Sequence, residues 1–281
     1  MHPAEASNLG KASPYPKKYD SKWLYPIARH LQRQHLQTEG VPCYGEDMWT
    51  AYEVSWLDMK AKPQIALASI RLPLQSQNLI ESKSLKLYLN SFNQSQWPSL
   101  EAVQAQISQD LTQVAGMQVQ VDLWTWQQAE MYLQPKPIQG MCLDDLELQD
   151  EIASAPVDQP DLLADVEKGK KLVKPEYYYS HLLKSNCPVT GQPDWATLWI
   201  EYQGAPLNLS ALLAYILSFR QHQDFHEHCV ERIYYTLWHV CQPEKLSVYA
   251  RYTRRGGLDI NPWRTSDAKA AHAPLIRTIR Q

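Results

Sequence analysis

The chain runs through one order of elements twice, and that repetition restricts the folds open to it more than any other feature. In the first half, Trp49 to Lys60 and Pro63 to Leu72 have the character of strands, and Ser82 to Phe92 that of a short helix. Pro98-Ser99 opens a second helix, in which Leu100, Val103, Ile107, Leu111 and Val114 keep the three-or-four spacing of one buried face. Gly116 stops it in the manner of a left-handed C-terminal residue. Met117, Val119, Val121 and Leu123 then alternate with polar residues at strand spacing. The second half predicts strands at Tyr177 to Leu183 and Ala196 to Tyr202. Asn208 caps a helix carrying Leu209, Leu212, Leu213, Ile216 and Leu217, and a second helix has Phe225, Cys229, Ile233 and Leu237 four apart. A strand-like stretch follows at Leu246, Val248 and Tyr249. One fragment matches by residue: Leu87-Tyr-Leu-Asn-Ser-Phe92 and Ala214-Tyr-Ile-Leu-Ser-Phe219 share Tyr, Ser and Phe in position. Strand, strand, helix, helix, strand predicts an α+β layer design, an antiparallel sheet with a pair of helices on one face.

Between the halves, Met141 to Glu167 holds nine carboxylates and no Lys, Arg or His, with Pro135, Pro137, Pro156 and Pro160 in and around it. Such a stretch predicts an acidic linker, giving a first module at 1–140, a linker at 141–167 and a second module at 168–281. At 281 residues, 44% hydrophobic and 20% charged, the chain can bury a sizeable core. Its net charge of −3 opposes a constitutive nucleic-acid binder. The longest apolar-leaning run, Leu209 to Phe219, is too short for a membrane span of roughly 20 residues, and the N-terminal stretch has no apolar region of the signal-peptide kind. Five cysteines without a CxxC pair predict reduced thiols and a cytoplasmic location rather than a disulfide framework or a zinc ribbon.

Four stretches could carry chemistry. Cys187 lies in Ser185-Asn-Cys-Pro-Val-Thr-Gly-Gln-Pro-Asp194, where two prolines and a glycine predict a loop and a thiol more exposed than a core cysteine. Asp194 can return near that sulfur as a proton donor for a thiolate nucleophile, although a free cysteine also serves as a gap filler. His222, His226 and His228 cluster with Glu227 and Cys229. On a helix His222 and His226 would share a face and could hold zinc, but Val230 stands where the HExxH signature needs its second His. A solvated helix start or a ligand-reading His226-Glu227 pair is the other interpretation. Glu81-Ser-Lys-Ser-Leu-Lys86 suits an amide-rich ligand, a phosphate at Lys83 and Lys86, or an ordinary charged helix entry. Arg254-Arg-Gly-Gly257 offers a phosphate cradle or a hairpin turn with exposed arginines. The chain lacks GxGxxG and GxxxxGK[ST], so neither a Rossmann nor a P-loop site is supported.

Taken together these residues resemble the QueF family, the NADPH-dependent 7-cyano-7-deazaguanine (preQ0) reductases, in their long two-module form. The likeness rests on Leu79 to Gln94, Ser185 to Asp194, His226-Glu227 and Arg254 to Trp263-Arg264, with Leu9 to Asp20 also in the style of the long form. The resemblance implies a tandem tunnelling fold (T-fold) and reduction of a nitrile to the primary amine of 7-aminomethyl-7-deazaguanine (preQ1), a precursor of the queuosine modification of tRNA. It implies Cys187 as the nucleophile that forms a covalent thioimidate and Asp194 as the proton donor. It assigns substrate contacts to Ile80, Glu81, Ser82, His226 and Glu227, and NADPH contacts to Ser82, Lys83, Arg255 and Gly256. No metal is implied. Because Glu81 falls in one half and Cys187, Asp194 and His226 in the other, an active site shared between modules is expected, and the duplication suggests a homodimer. Two alternatives are a zinc-dependent hydrolase like GTP cyclohydrolase I and a non-catalytic nucleobase- or tRNA-binding module whose Trp and Tyr side chains stack bases.

Overall fold

Two β-hairpins carry the same fault in register, one in each half. The computed structural model describes residues 15–148, 160–163, 172–274 and 276–281. They form two compact units, one within Met1–Gln34, Glu46–Gln134 and Arg254–Ile260, the other within His35–Gly45, Pro135–Thr253 and Asn261–Gln281.

The first unit opens with β1 (Pro26–Ala28) and the short helix α1 (Arg29–Arg33). Its hairpin is β2 (Tyr44–Leu57) and β3 (Pro63–Pro73), antiparallel, with one extra residue in β2 between Ala51 and Val54. Such an insertion is a β-bulge, which kinks and twists the strand. β4 (Asn78–Ile80) pairs with β1, and two helices follow, α2 (Ser82–Asn90) and α3 (Leu100–Ala115). β5 (Gln120–Trp124) adds to β3, placing Val121 opposite Ile70 and Leu123 opposite Ala68. In α3 the expected stripe is inward: Val103, Ile107 and Leu111 are fully buried, each burial favourable by about 1.5–3 kcal/mol. Ser99 caps α3 by accepting from Ala102 N, and Gly116 ends it at φ 70°. The helix α4 (Trp126–Tyr132) has a capping box of Thr125 and Gln128.

The second unit follows the same plan. β6 (Met141–Cys142) lies parallel to β7 (Glu176–Asn186), and β7 forms an antiparallel hairpin with β8 (Pro193–Gln203). One extra residue sits in β7 between Ser180 and Leu183. α5 (Leu209–Ser218), capped by Asn208, and α6 (His226–Cys241) come next, then β9 (Lys245–Tyr252) and β10 (Leu258–Thr265), whose first residues, Leu258–Ile260, are counted with the first unit. Alternate residues of β8 and β9, namely Ala196, Leu198, Ile200 and Tyr202 with Leu246, Val248, Ala250 and Tyr252, join α5 and α6 in one core. The duplicated fragment repeats its contacts as well as its residues. Tyr88 and Phe92 meet edge to face at 5.3 Å, as do Tyr215 and Phe219. Ser91 Oγ donates to Tyr88 O at 2.6 Å, and Ser218 Oγ to Tyr215 O at 2.7 Å.

Four differences from the sequence expectation have local causes. Asp58-Met59-Lys60 is a turn and not strand, because the Asp58 carboxylate accepts from Lys60 N (2.8 Å) and Lys62 N (3.0 Å). β10 was not predicted: its residues are buried on both faces, so no alternation marks it, and its polar side chains are partnered inside, Arg264 by Glu231 at 2.9 Å and Asn261 by Gln281 at 3.0 Å. Neither unit is one stretch of chain. His239 Nε2 donates to Gln37 O at 2.6 Å and the Tyr234 hydroxyl donates to Pro42 O, tying 35–45 to α6. Tyr52 N donates to Gly257 O at 2.9 Å and its hydroxyl to Asp259 at 2.6 Å, tying 254–260 to β2. Part of the expected linker is built into the second unit, with Met141–Cys142 in a strand and Leu143 fully buried; its remainder, 149–159 and 164–167, lies outside the described residues, as does Leu9 to Pro14.

Candidate active site

Cys187 occupies the first position of the β7–β8 turn. The ladder closes at Asn186 opposite Pro193, a proline at a strand's first residue where no ladder donor is needed. Cys187 N then donates to Gln192 O at 2.9 Å and Gly191 N to Cys187 O at 3.0 Å. The thiol is not exposed as expected but buried, at 7%. The segment after α5 docks on the same strand end: Asn186 N donates to His222 O at 2.8 Å and Asp224 N to Asn186 O at 3.2 Å. That docking carries the chain into α6 beside the hairpin.

Asp194 stands directly across the ladder from Ser185 and is buried at 3%. His226, the first residue of α6, brings Nε2 to 3.4 Å from Asp194 Oδ1. Its imidazole lies against the Tyr252 ring, centroids 4.0 Å apart. Glu227 is buried in the same first turn, where the positive end of the helix favours a carboxylate. His222 and His226 do not share a helix face: Phe225 is extended and α6 starts only at His226. The cluster divides instead, with His226 toward Asp194 and with His222 (3.6 Å) and His228 (3.3 Å) flanking Asp224. Burial works to raise the Asp224 carboxyl, but hydrogen bonds and charge from both histidines outweigh it and hold it well below the usual carboxylate range. Burial pushes the Cys229 thiol up to about 12, so it stays protonated. Among the described residues no group of three or more His, Cys, Asp or Glu is placed to hold a metal ion. All five cysteines are free.

The remaining candidates are in the first unit. Ile80 ends β4 and is buried, and Glu81 caps α2, accepting from Lys83 N at 2.7 Å and Ser84 N at 2.8 Å. Ser82 Oγ donates to Glu81 at 3.4 Å. Burial raises the Glu81 carboxyl, and these hydrogen bonds oppose the shift. An ionised carboxylate has about four lone-pair sites, so acceptor capacity remains for a ligand's N–H groups. Arg255 and Gly256 form a turn closed by Arg255 N donating to Leu258 O at 2.8 Å. Gly256 has φ 58°, and a Cβ there would come within 2.9 Å of Lys86 Nζ. The turn therefore lies against α2, and the stretches Ser82-Lys83 and Arg255-Gly256 belong to one unit. Lys86 pairs with Glu53 at 3.5 Å, and the Arg254 guanidinium covers the Tyr52 ring at 4.3 Å.

No chemistry was expected of Tyr252, Ser185 or Asp224. Tyr252 is the last residue of β9, and its register opposite Ala196 brings it near Asp194.

The chain is similar to proteins of one named family. Residues 15–123 match the model of the family described as nitrile reductase, 7-cyano-7-deazaguanine-reductase N-term, and residues 193–271 match that of QueF-like protein. The chain is 49% identical over 281 residues to the NADPH-dependent 7-cyano-7-deazaguanine reductase of Bordetella avium, covering 99% of this chain and 100% of that one. The enzymes of that name from Chromohalobacter salexigens (49% over 279 residues, 99% and 97% covered) and Desulfotalea psychrophila (47% over 274 residues, 97% and 96%) are similarly close. At that identity, over nearly the whole length, the chain belongs to the 7-cyano-7-deazaguanine reductase family.

Proposed function

We propose that this chain reduces the nitrile of 7-cyano-7-deazaguanine to the primary amine, in the route to the queuosine modification of tRNA. The observation that supports it most is the full-length likeness to enzymes named for that reaction, together with a cysteine, a carboxyl and an imidazole gathered at one hairpin end.

Each group has a task that follows from its chemistry. A nitrile carbon is a modest electrophile to which a soft thiolate adds. The Cys187 sulfur bonds that carbon while the Asp194 carboxyl gives its proton to the nitrogen, producing a thioimidate without a free nitrogen anion. Enclosure of both groups keeps water from the adduct. Expulsion of the Cys187 thiolate later regenerates the nucleophile. His226 and Glu227 read the deazaguanine, and Glu81 accepts from its 2-amino and ring N–H edge, a paired interaction costly to lose. Ile80 and Ser82 flank the same ligand.

The first unit supports a place for NADPH: Lys86 lies against the Gly256 turn, which Arg254 and Arg255 precede, and Lys83 is on the same helix as Lys86. Ser82, Lys83, Arg255 and Gly256 would hold it, and a cation near the ribose would favour the extra phosphate. When bound it supplies the hydrides, two molecules for the four-electron change from nitrile to amine.

We assign the protein to the cytoplasm as a homodimer without direct nucleic-acid contact, supported by five free thiols, the tandem modules and the net charge of −3. No helix among the described residues is long and apolar enough to cross a membrane. Following NADPH oxidation with a limiting amount of the nitrile tests the reaction. Two NADPH consumed per substrate is expected; none consumed contradicts it.

A further inference from the structure

His226 is held loosely by its polar partner. Its Nε2 is 3.4 Å from Asp194 Oδ1 but makes no well-angled hydrogen bond, and the imidazole is largely enclosed. A flexible pair at that distance leaves the ring free to rotate away from the carboxyl unless packing prevents it. The closest aromatic surface is Tyr252, whose ring centroid lies 4.0 Å away with the planes at 46°. Tyr252 is itself fixed from three sides. It faces Ala196 in the ladder, its N–H donates to Asn261 Oδ1 at 3.1 Å, and its carbonyl accepts from Gln281 Nε2 at 3.1 Å. Ala196 and Asp194 are two apart on β8 and so share a face, with Ser185 beside them. The Tyr252 hydroxyl is enclosed and makes no well-angled hydrogen bond, although Cys229 and Ser185 adjoin it. The hydroxyl also lies near the Asp194 charge, so the contributions of hydroxyl and ring are separated by experiment.

We propose that Tyr252 is a positioning residue for the reaction, its ring pressing the His226 imidazole against Asp194 so that the proton donor is correctly placed when Cys187 attacks. The inference rests on the functional reading above and adds a residue to it. An ångström of misplacement in such an arrangement costs about 10²-fold in rate.

The test compares Tyr252→Phe, which keeps the ring, with Tyr252→Leu, which removes it, in the full-length protein. Thioimidate formation is followed by absorbance with the nitrile and no NADPH. Tyr252→Phe should stay within a few-fold of the parent and Tyr252→Leu should fall about 10²-fold. In a His226→Ala background Tyr252→Leu should add nothing, whereas a merely structural role would add its full cost. Wild-type adduct rates in Tyr252→Leu, equal losses in Phe and Leu, or a full loss persisting without His226 each overturn the proposal. Should the Leu variant not fold, the His226 ring-proton NMR shifts of the unmodified protein decide: displacement by the overlying ring is expected, and unshifted signals refute the contact. That measurement needs no substrate. Absence of any adduct in the parent protein would instead sink the functional reading.

Discussion

The two units set different side chains on one scaffold. Each hairpin has its bulge in the first strand, and each turn is closed by its first residue's N–H donating to its last residue's carbonyl, Asp58 to Lys62 and Cys187 to Gln192, both at 2.9 Å. Each strand end is then gripped by the segment entering the second helix. Leu57 N donates to Ser95 O at 3.0 Å and Trp97 N to Leu57 O at 2.8 Å, just as Asn186 bonds His222 and Asp224. Position for position, Asp58 corresponds to Cys187, Gln64 to Asp194, Ser95 to His222 and Trp97 to Asp224. At the cap of the preceding helix the exchange runs the other way, with Glu81 in the first unit and Asn208 in the second. In the first unit the space is closed by the chain itself. Tyr19 packs edge to face on Trp97 at 5.3 Å and Phe92 at 4.9 Å, and its N–H donates to Ser95 Oγ at 2.9 Å. The backbone thus repeats the same turn closure and the same docking in both units, while the residues at the matching positions differ.

The comparison can be broken by substituting equivalent positions. Cys187→Ala should abolish the adduct and lower turnover at least about 10⁴-fold, while Asp58→Ala leaves turnover unchanged; comparable losses would mean that the two turns are not functionally distinct. Asp194→Ala should slow turnover by roughly 10²–10⁴-fold, typical of a lost general acid, with Gln64→Ala silent. A steady-state assay on all four variants decides both pairs.

The smallest expected effect is on stability. The Asp224 carboxyl titrates lower in the folded protein than in the unfolded chain, so its contribution is complete above the unfolded value of about 3.9 and is lost as pH falls through the lower folded value. Unfolding midpoints measured between neutral and strongly acid pH should therefore drop less for Asp224→Asn than for the parent. An unaltered acid dependence would mean that the two histidines do not hold that charge. Trp97, at the matching place, offers nothing to titrate.

The helices and their inward faces were legible because burial on one side of a helix forces a spacing that survives in sequence: Val103, Ile107 and Leu111, or Cys229, Ile233 and Leu237. The paired order and the Tyr-Ser-Phe match also announced the duplication. β10 was illegible because a strand enclosed on both faces has no alternation and its polar residues are matched only at a distance. The burial of Cys187 escaped for a related reason. Prolines and glycine mark a turn, but whether another segment covers that turn depends on bonds such as Asn186 to His222. The neighbourhood of Tyr252, Asp194 and His226 needed strand register, which spacing along the chain does not encode.

The most direct test of the account is peptide mapping of the protein mixed with 7-cyano-7-deazaguanine in the absence of NADPH. The mass of the whole nitrile is expected on the peptide bearing Cys187 and on no other cysteine. An unmodified Cys187 in protein that still turns the substrate over, or an adduct on a different thiol, would contradict it.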